Sequence, residues 1–297
     1  MHCLTTLTRS NWLRLRASHA SLLVALLVFA LLSACASDDP APEPSAPLEP
    51  VDFTFSDGFE TSGNALNDVL PGDNSRWTNV QLQDPDGQTN VLELSTATVR
   101  EGQKSLRVLA KAANATLSKA DIEKAGFAAP VGSTLVLEAS LFIAGTADLE
   151  DLFLADVECC SCWDPSVPDN QCPGVRLTLK AGDFLAIERG KILGSTLTQT
   201  SVPLPRDEWV DIAWEMTLSD TDDGRNVLRI NGEEALVQTG ANLPNADEFR
   251  DLFAQNGIAF ELQQPVVYER FQIGATANPT SSDAELFVDD VRLDVRL

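Results

Sequence analysis

Residues 208–218 read EWVDIAWEMTL, and this stretch decides the fold. Val210, Ile212, Trp214, Met216 and Leu218 occupy every second position, with Asp211 and Glu215 between them. Successive side chains of a strand point to opposite faces, so the segment reads as a strand buried on one face and wet on the other. Working outward, LVLEASLFI at 135–143 aligns Leu135, Leu137, Ala139, Leu141 and Ile143 in the same way. GVRLTLKAG, starting at Gly174, aligns Val175, Leu177 and Leu179. Asn231-Gly232 lies between NVLRI and EEALV, and Asn-Gly supplies the positive φ angles of a type I′ hairpin turn. Two segments read as short helices, Ser118–Lys124 and Ala246–Ala254. The pattern predicts an all-β domain of about 12 strands or more, and a two-sheet sandwich is the simplest way to bury their apolar faces.

The N-terminus has a different character. Arg9, Arg14 and Arg16 precede an apolar run from Leu22 to Leu32, and no acidic residue interrupts either. A bilayer anchor needs about 20 apolar residues; this shorter run suits the core of a cleaved export signal. Leu32-Ser33-Ala34-Cys35 resembles the lipobox of bacterial lipoproteins. That resemblance implies cleavage after residue 34 and acylation (palmitate) of Cys35. Ala36 and Ser37 follow it, without the aspartate of an inner-membrane retention signal, so an outer-membrane lipoprotein of the cell envelope is expected. Residues 36–50, ASDDPAPEPSAPLEP, hold five prolines. With Cys35 they read as a tether (35–50) reaching about 45 Å if extended. The domain then runs over 51–297.

Processing would remove both histidines, His2 and His19, and leave 18 basic residues against 44 acidic ones, a formal charge of −26. Ser-His-Asp hydrolysis, Cys-His nucleophiles and His-rich zinc sites are excluded on this reading. The acidic balance argues against nucleic acid, whose phosphates need a basic footprint. The membrane is contacted through the lipid alone.

FSDGFE at 55–60 with Trp77 downstream, WVDIAWEMTLSDTDDGRNVLRINGEE at 209–234, and FQIGA (271–275) followed by ELFVDDVRL (285–293) resemble the concanavalin A-like jelly roll. Lectins, laminarinase-type glycoside hydrolases and alginate or heparin lyases share that fold. Galactose-binding-like β-sandwiches share the opening and closing motifs and are the alternative. The resemblance implies catalytic motifs that this chain carries only in altered form. Where the laminarinase motif Glu-x-Asp-x-(x)-Glu would lie, the chain has Leu154-Ala155-Asp156-Val157-Glu158, with leucine at the nucleophile position. Alginate-lyase-like proteins carry Arg-x-Glu, Gln-x-His and Tyr-Phe-Lys-x-Gly. The corresponding places are Lys119-Ala120-Asp121, Ala155-Asp156-Val157 and Arg270-Phe271-Gln272-Ile273-Gly274. A lysine in place of arginine loses the two-pronged grip on a carboxylate.

Without those residues the expected function is non-catalytic binding of a glycan or another surface polymer. A polysaccharide-degrading enzyme, glycoside hydrolase or polysaccharide lyase, is the alternative. Trp163, Trp209 and Tyr268 are the candidate ligand contacts, since aromatic rings stack on sugars. Trp77 and Trp214 read as core. Cys159, Cys160, Cys162 and Cys172 are expected to form two disulfides in an exported chain. Either Cys160–Cys172 with Cys159–Cys162, or Cys159–Cys172 with Cys160–Cys162, avoids a strained bridge between neighbours. Finally, Asp57, Glu60, Asp289 and Asp290 are candidate ligands for a structural Ca²⁺ where the chain ends meet, because a hard cation prefers carboxylates.

Overall fold

The computed structural model describes residues 49–113, 116–167, 172–190 and 195–297. The expected signal, Cys35 and most of the expected tether lie outside them. Fifteen strands run β1 (Phe53–Asp57), β2 (Asn79–Gln83), β3 (Val91–Ser95), β4 (Ser105–Ala110), β5 (Ser118–Ala129), β6 (Thr134–Ile143), β7 (Leu152–Glu158) and β8 (Gly174–Lys180). They continue as β9 (Phe184–Arg189), β10 (Ser195–Pro203), β11 (Trp209–Thr217), β12 (Arg225–Ile230), β13 (Glu233–Thr239), β14 (Tyr268–Asn278) and β15 (Ala284–Arg296). One helix, α1 (Ala246–Gln255), is capped by Asn245, whose side chain accepts the amides of Asp247 and Glu248.

Two antiparallel sheets form the sandwich. The first has the order β13-β12-β11-β6-β15-β4-β3, with β1 also paired to β15. The second has the order β10-β9-β8-β7-β14-β5-β2. The alternation in β11 and β6 is realised: Val210, Ile212, Trp214 and Met216 pack with Leu135, Leu137, Leu141 and Ile143 in the core. Across from them lie Ile122, Val157, Leu177, Ile187, Phe271 and Ile273 of the second sheet. Trp77 stacks on Phe59 at 5.8 Å and meets Phe55 edge-on at 5.0 Å, closing one end. Asn231 and Gly232 have φ of 52° and 81°, as the hairpin between β12 and β13 requires.

The expected helix over Ser118–Lys124 is instead the start of β5. Ala120 and Ile122 face the core, and Lys119, Asp121 and Glu123 alternate with them. The charges at Lys119, Asp121, Glu123 and Lys124 resemble a helical surface in sequence; pairing with β2 and β14 makes the segment a strand.

Candidate active site on the outer face of the second sheet

Strand order brings one polar residue after another into a row across the second sheet. Gln81 lies opposite Asp121, Glu123 opposite Gln272, and Gln272 opposite Asp156. The row continues with Asp156 opposite Arg176, Arg176 opposite Glu188 and Glu188 opposite Thr196. These residues alternate with core residues, so they share the outer face.

Gln272 is the hub. It takes a hydrogen bond from Lys119 Nζ (3.1 Å) and donates to Glu123 (3.1 Å) and Glu158 (3.3 Å). Glu123 also accepts from Gln81 at 2.8 Å and pairs with Arg270 at 3.3 Å. This network satisfies Glu123 and leaves its neighbour out. Asp121 is 0% exposed, yet neither carboxylate oxygen has a hydrogen-bond partner. Lys119 Nζ stands 3.5 Å away, at the edge of reach. Burial, offset in part by Lys119 and reinforced by the charges of Asp156 and Glu123, pushes the Asp121 carboxyl up to about 8.

Asp156 and Arg176 are both buried and form an ion pair, Asp156 Oδ1 lying 3.4 Å from Arg176 Nε. The Arg176 guanidinium lies 4.4 Å over the Phe153 ring. Buried polar groups are normally paired, and each unmade bond costs about 1–3 kcal/mol. Opposite Asp121, Gly274 leaves its strand position without a side chain. Its φ is 132°, and a Cβ there would come 2.7 Å from the Ala120 carbonyl oxygen.

The outer face of the first sheet holds a cavity of about 600 Å³ between Arg100, Ser140, Asp211, Asn231 and Asp290. Within it Asp211 accepts from Arg100 (2.9 Å) and Ser140 (2.7 Å), and its amide donates to Asn231 (2.9 Å).

The aromatic candidates are not brought together. Trp163 is 6% exposed and packs on Phe260 (5.0 Å) and Phe253 (5.9 Å), so it anchors the cysteine loop to the end of α1 rather than facing solvent. Tyr268 is buried beside Gly174, Arg189, Asn242 and Phe249, with its hydroxyl donating to the Asn242 carbonyl. Burial raises its phenol well above the ordinary range. Trp209 is half-buried on the outer face of the first sheet, edge-on to Phe142 at 5.8 Å.

The cysteines pair as Cys159–Cys162 and Cys160–Cys172, one of the two expected arrangements. Among the described residues, Glu158, Cys160 and Cys172 are the group whose potential ligand atoms lie within 4.8 Å of one another, and both thiols are spent in a disulfide. Of the candidate calcium ligands, Asp57 is held by Arg76 at 2.5 and 2.8 Å. Glu60 accepts the amides of Gln103 and Lys104. Asp289 accepts those of Arg100, Glu101 and Asp290. Asp289 and Asp290 sit in a β-bulge of β15, Asp290 at φ 48°. Burial pushes Asp289 up to about 6.

No protein-family model and no curated protein matches the chain. Solved structures do. An endo-β-1,4-glucuronan lyase from the fungus Trichoderma reesei superposes with a TM-score of 0.55 at 9% identity, covering 73% of this chain and 90% of that one. The alginate lyase Aly36B superposes with a TM-score of 0.51 at 12% identity, covering 81% and 96%. The fold is the all-β, two-sheet jelly-roll sandwich. Both of these structures are polysaccharide lyases, and the expectation of non-catalytic binding is corrected accordingly: the likeness favours the alternative, a polysaccharide-degrading enzyme.

Sequence reading had named Lys119, Asp121, Asp156, Arg270 and Gln272 as altered motif positions but discounted them, and it missed Arg176. The signal for Arg176 was a cation on the wet side of Val175-Arg176-Leu177. Its proximity to Asp156 depends on β7 lying beside β8.

Proposed function

We propose that this chain is a polysaccharide-degrading enzyme, cleaving a uronate-containing polymer by β-elimination on the outer face of the second sheet. The observation that carries the reading is the row of buried charged groups on that sheet, Asp121 beside Lys119 (3.5 Å) and Asp156 beside Arg176 (3.4 Å). The lyase fold supports it. β-Elimination needs a cation or donor to neutralise the uronate carboxylate, a base for the C5 proton and an acid for the departing O4. Arg176, held 3.4 Å from Asp156, supplies a fixed guanidinium of the kind that recognises carboxylates. Lys119, Lys180 and Arg270 add positive charge to a face embedded in an acidic chain, so a polyanion meets local balance rather than the net −23. Incubation with glucuronan, alginate and neutral glycans distinguishes the chemistries. Ultraviolet absorbance from a C4=C5 bond conjugated to the carboxylate is expected with a uronate polymer. New reducing ends without that absorbance would replace the lyase with a hydrolase, and no product from any polymer would overturn the reading.

Export and anchoring belong to the same proposal. An enzyme tethered through Cys35 would meet polymers at the cell envelope. Labelling with a clickable palmitate analogue in a bacterial host is expected to mark the wild type and not Cys35→Ala.

A further inference from the structure

The cavity on the outer face of the first sheet takes no part in the proposed cleavage, and its lining has a chemistry of its own. We propose that it is a second binding site, which holds an amino sugar of a polysaccharide through the sugar's protonated amine. It lies on the other sheet from the cleavage face and does not depend on the lyase reading.

The cavity measures about 600 Å³, within the roughly 300–1,000 Å³ of clefts that hold small ligands. β6 contributes Glu138 and Ser140, β11 contributes Asp211 and Ala213, and the turn between β12 and β13 contributes Asn231 and Gly232. Arg100 and Glu101 come from the chain between β3 and β4, and Asp290 from the bulge of β15. Asn231 also lines a second groove of about 380 Å³, with Val202, Pro203 and Ile230 as apolar walls and Glu233 and Glu234 as further carboxylates. A chain longer than one sugar therefore has somewhere to continue.

Charge selects the ligand. Four carboxylates line the cavity, Glu101, Glu138, Asp211 and Asp290, against one cation, Arg100. Arg100 is spent on Asp211 at 2.9 Å. Among the described residues no lysine or arginine pairs with Glu101, Glu138 or Asp290. A ligand ammonium would supply the missing counter-charge, whereas a uronate would be repelled.

Two observations favour a sugar over a basic peptide. Trp209 of β11 lies opposite Phe142 of β6, edge-on at 5.8 Å, two positions along from Asp211 and Ser140 on the same face. Both rings are half-buried, and an aromatic surface beside hydrogen-bonding groups suits a sugar ring. Beneath the cavity, β11 is bonded to β6 on one side and to β12 on the other. No strand edge is free there for a peptide to extend the sheet.

Isothermal titration of the full chain at pH 6 tests this, in EGTA so that no divalent cation competes. The probes are a fully deacetylated glucosamine hexasaccharide, its N-acetylated counterpart and hexalysine. The deacetylated sugar is expected to bind, with the acetylated form and the double variant Glu101→Gln/Glu138→Gln each weaker by roughly 10-fold. Both substituted side chains are exposed, so the double variant should keep the wild-type Tm, and it should cleave a polyuronate as the wild type does. No binding of the deacetylated sugar, equal binding of the acetylated one, or undiminished binding by the double variant would overturn the site. Hexalysine binding as tightly as the sugar and weakened by the same substitutions would overturn the glycan in favour of a basic peptide. Amine-dependent binding in a chain that cleaves no polyuronate would support this site and overturn the lyase reading.

Discussion

Replacing Asp121 with asparagine is expected to make the protein more stable at neutral pH. In the unfolded chain an aspartate loses its proton near pH 3.9; in the fold Asp121 holds it to about 8. Between those values the native state binds one proton more than the unfolded state, so this carboxyl makes stability fall as pH rises. Each pH unit costs about 1.4 kcal/mol, which gives about 4 kcal/mol at pH 7. Asparagine matches the neutral carboxyl in shape and has no proton to lose, so Asp121→Asn should recover most of that. For a domain of this size the gain corresponds to a rise of roughly 10 °C in Tm. At pH 4 or below both proteins carry a neutral side chain and the difference should vanish. Urea unfolding of the two at pH 4, 5.5 and 7, followed by tryptophan fluorescence, measures it. An Asp121→Asn variant no more stable at pH 7 than at pH 4, relative to wild type, would refute the protonated state of Asp121.

Other outcomes are expected elsewhere in the molecule. Gly274→Ala should destabilise by about 1–3 kcal/mol in denaturant melts, because its φ of 132° and a 2.7 Å approach to the Ala120 carbonyl oxygen leave no room for a methyl group. Trp163→Ala should cost about 3 kcal/mol of stability by emptying the space against Phe253 and Phe260, and an affinity loss without a stability loss would put that ring back on a binding surface. Peptide mapping of the unreduced protein should recover Cys159–Cys162 and Cys160–Cys172, and alkylation should find none of the four free. Added Ca²⁺ should raise Tm by several degrees over EGTA, since a cation beside Asp289 and Asp290 would relieve the repulsion and burial that raise both carboxyls; superimposable curves would dismiss the ion.

Local pattern alone carried the strands, the hairpin and the sandwich class. Alternation in EWVDIAWEMTL is a property of eleven consecutive residues, and burying one face of such segments leaves few architectures. Asn231-Gly232 likewise specifies its turn by backbone sterics within two residues. The cysteine spacing narrowed the bridges to two arrangements, and only folded loop geometry chose between them. The candidate site was named in fragments and not recognised, for reasons beyond local pattern. Asp121, Gln272, Asp156 and Arg176 come from positions spread over 150 residues, and they become neighbours because β5, β14, β7 and β8 lie side by side. A bulge between Phe153 and Ala155 sends Leu154 into the core, so its departure from a nucleophile motif says nothing about the outward-facing residues. Tyr268 looked available on its strand until the chain around Asn242 covered it. Strand order and long-range cover are set by how all the apolar faces pack at once. They depend on pairs of residues far apart in the chain, which no stretch of sequence read by itself contains.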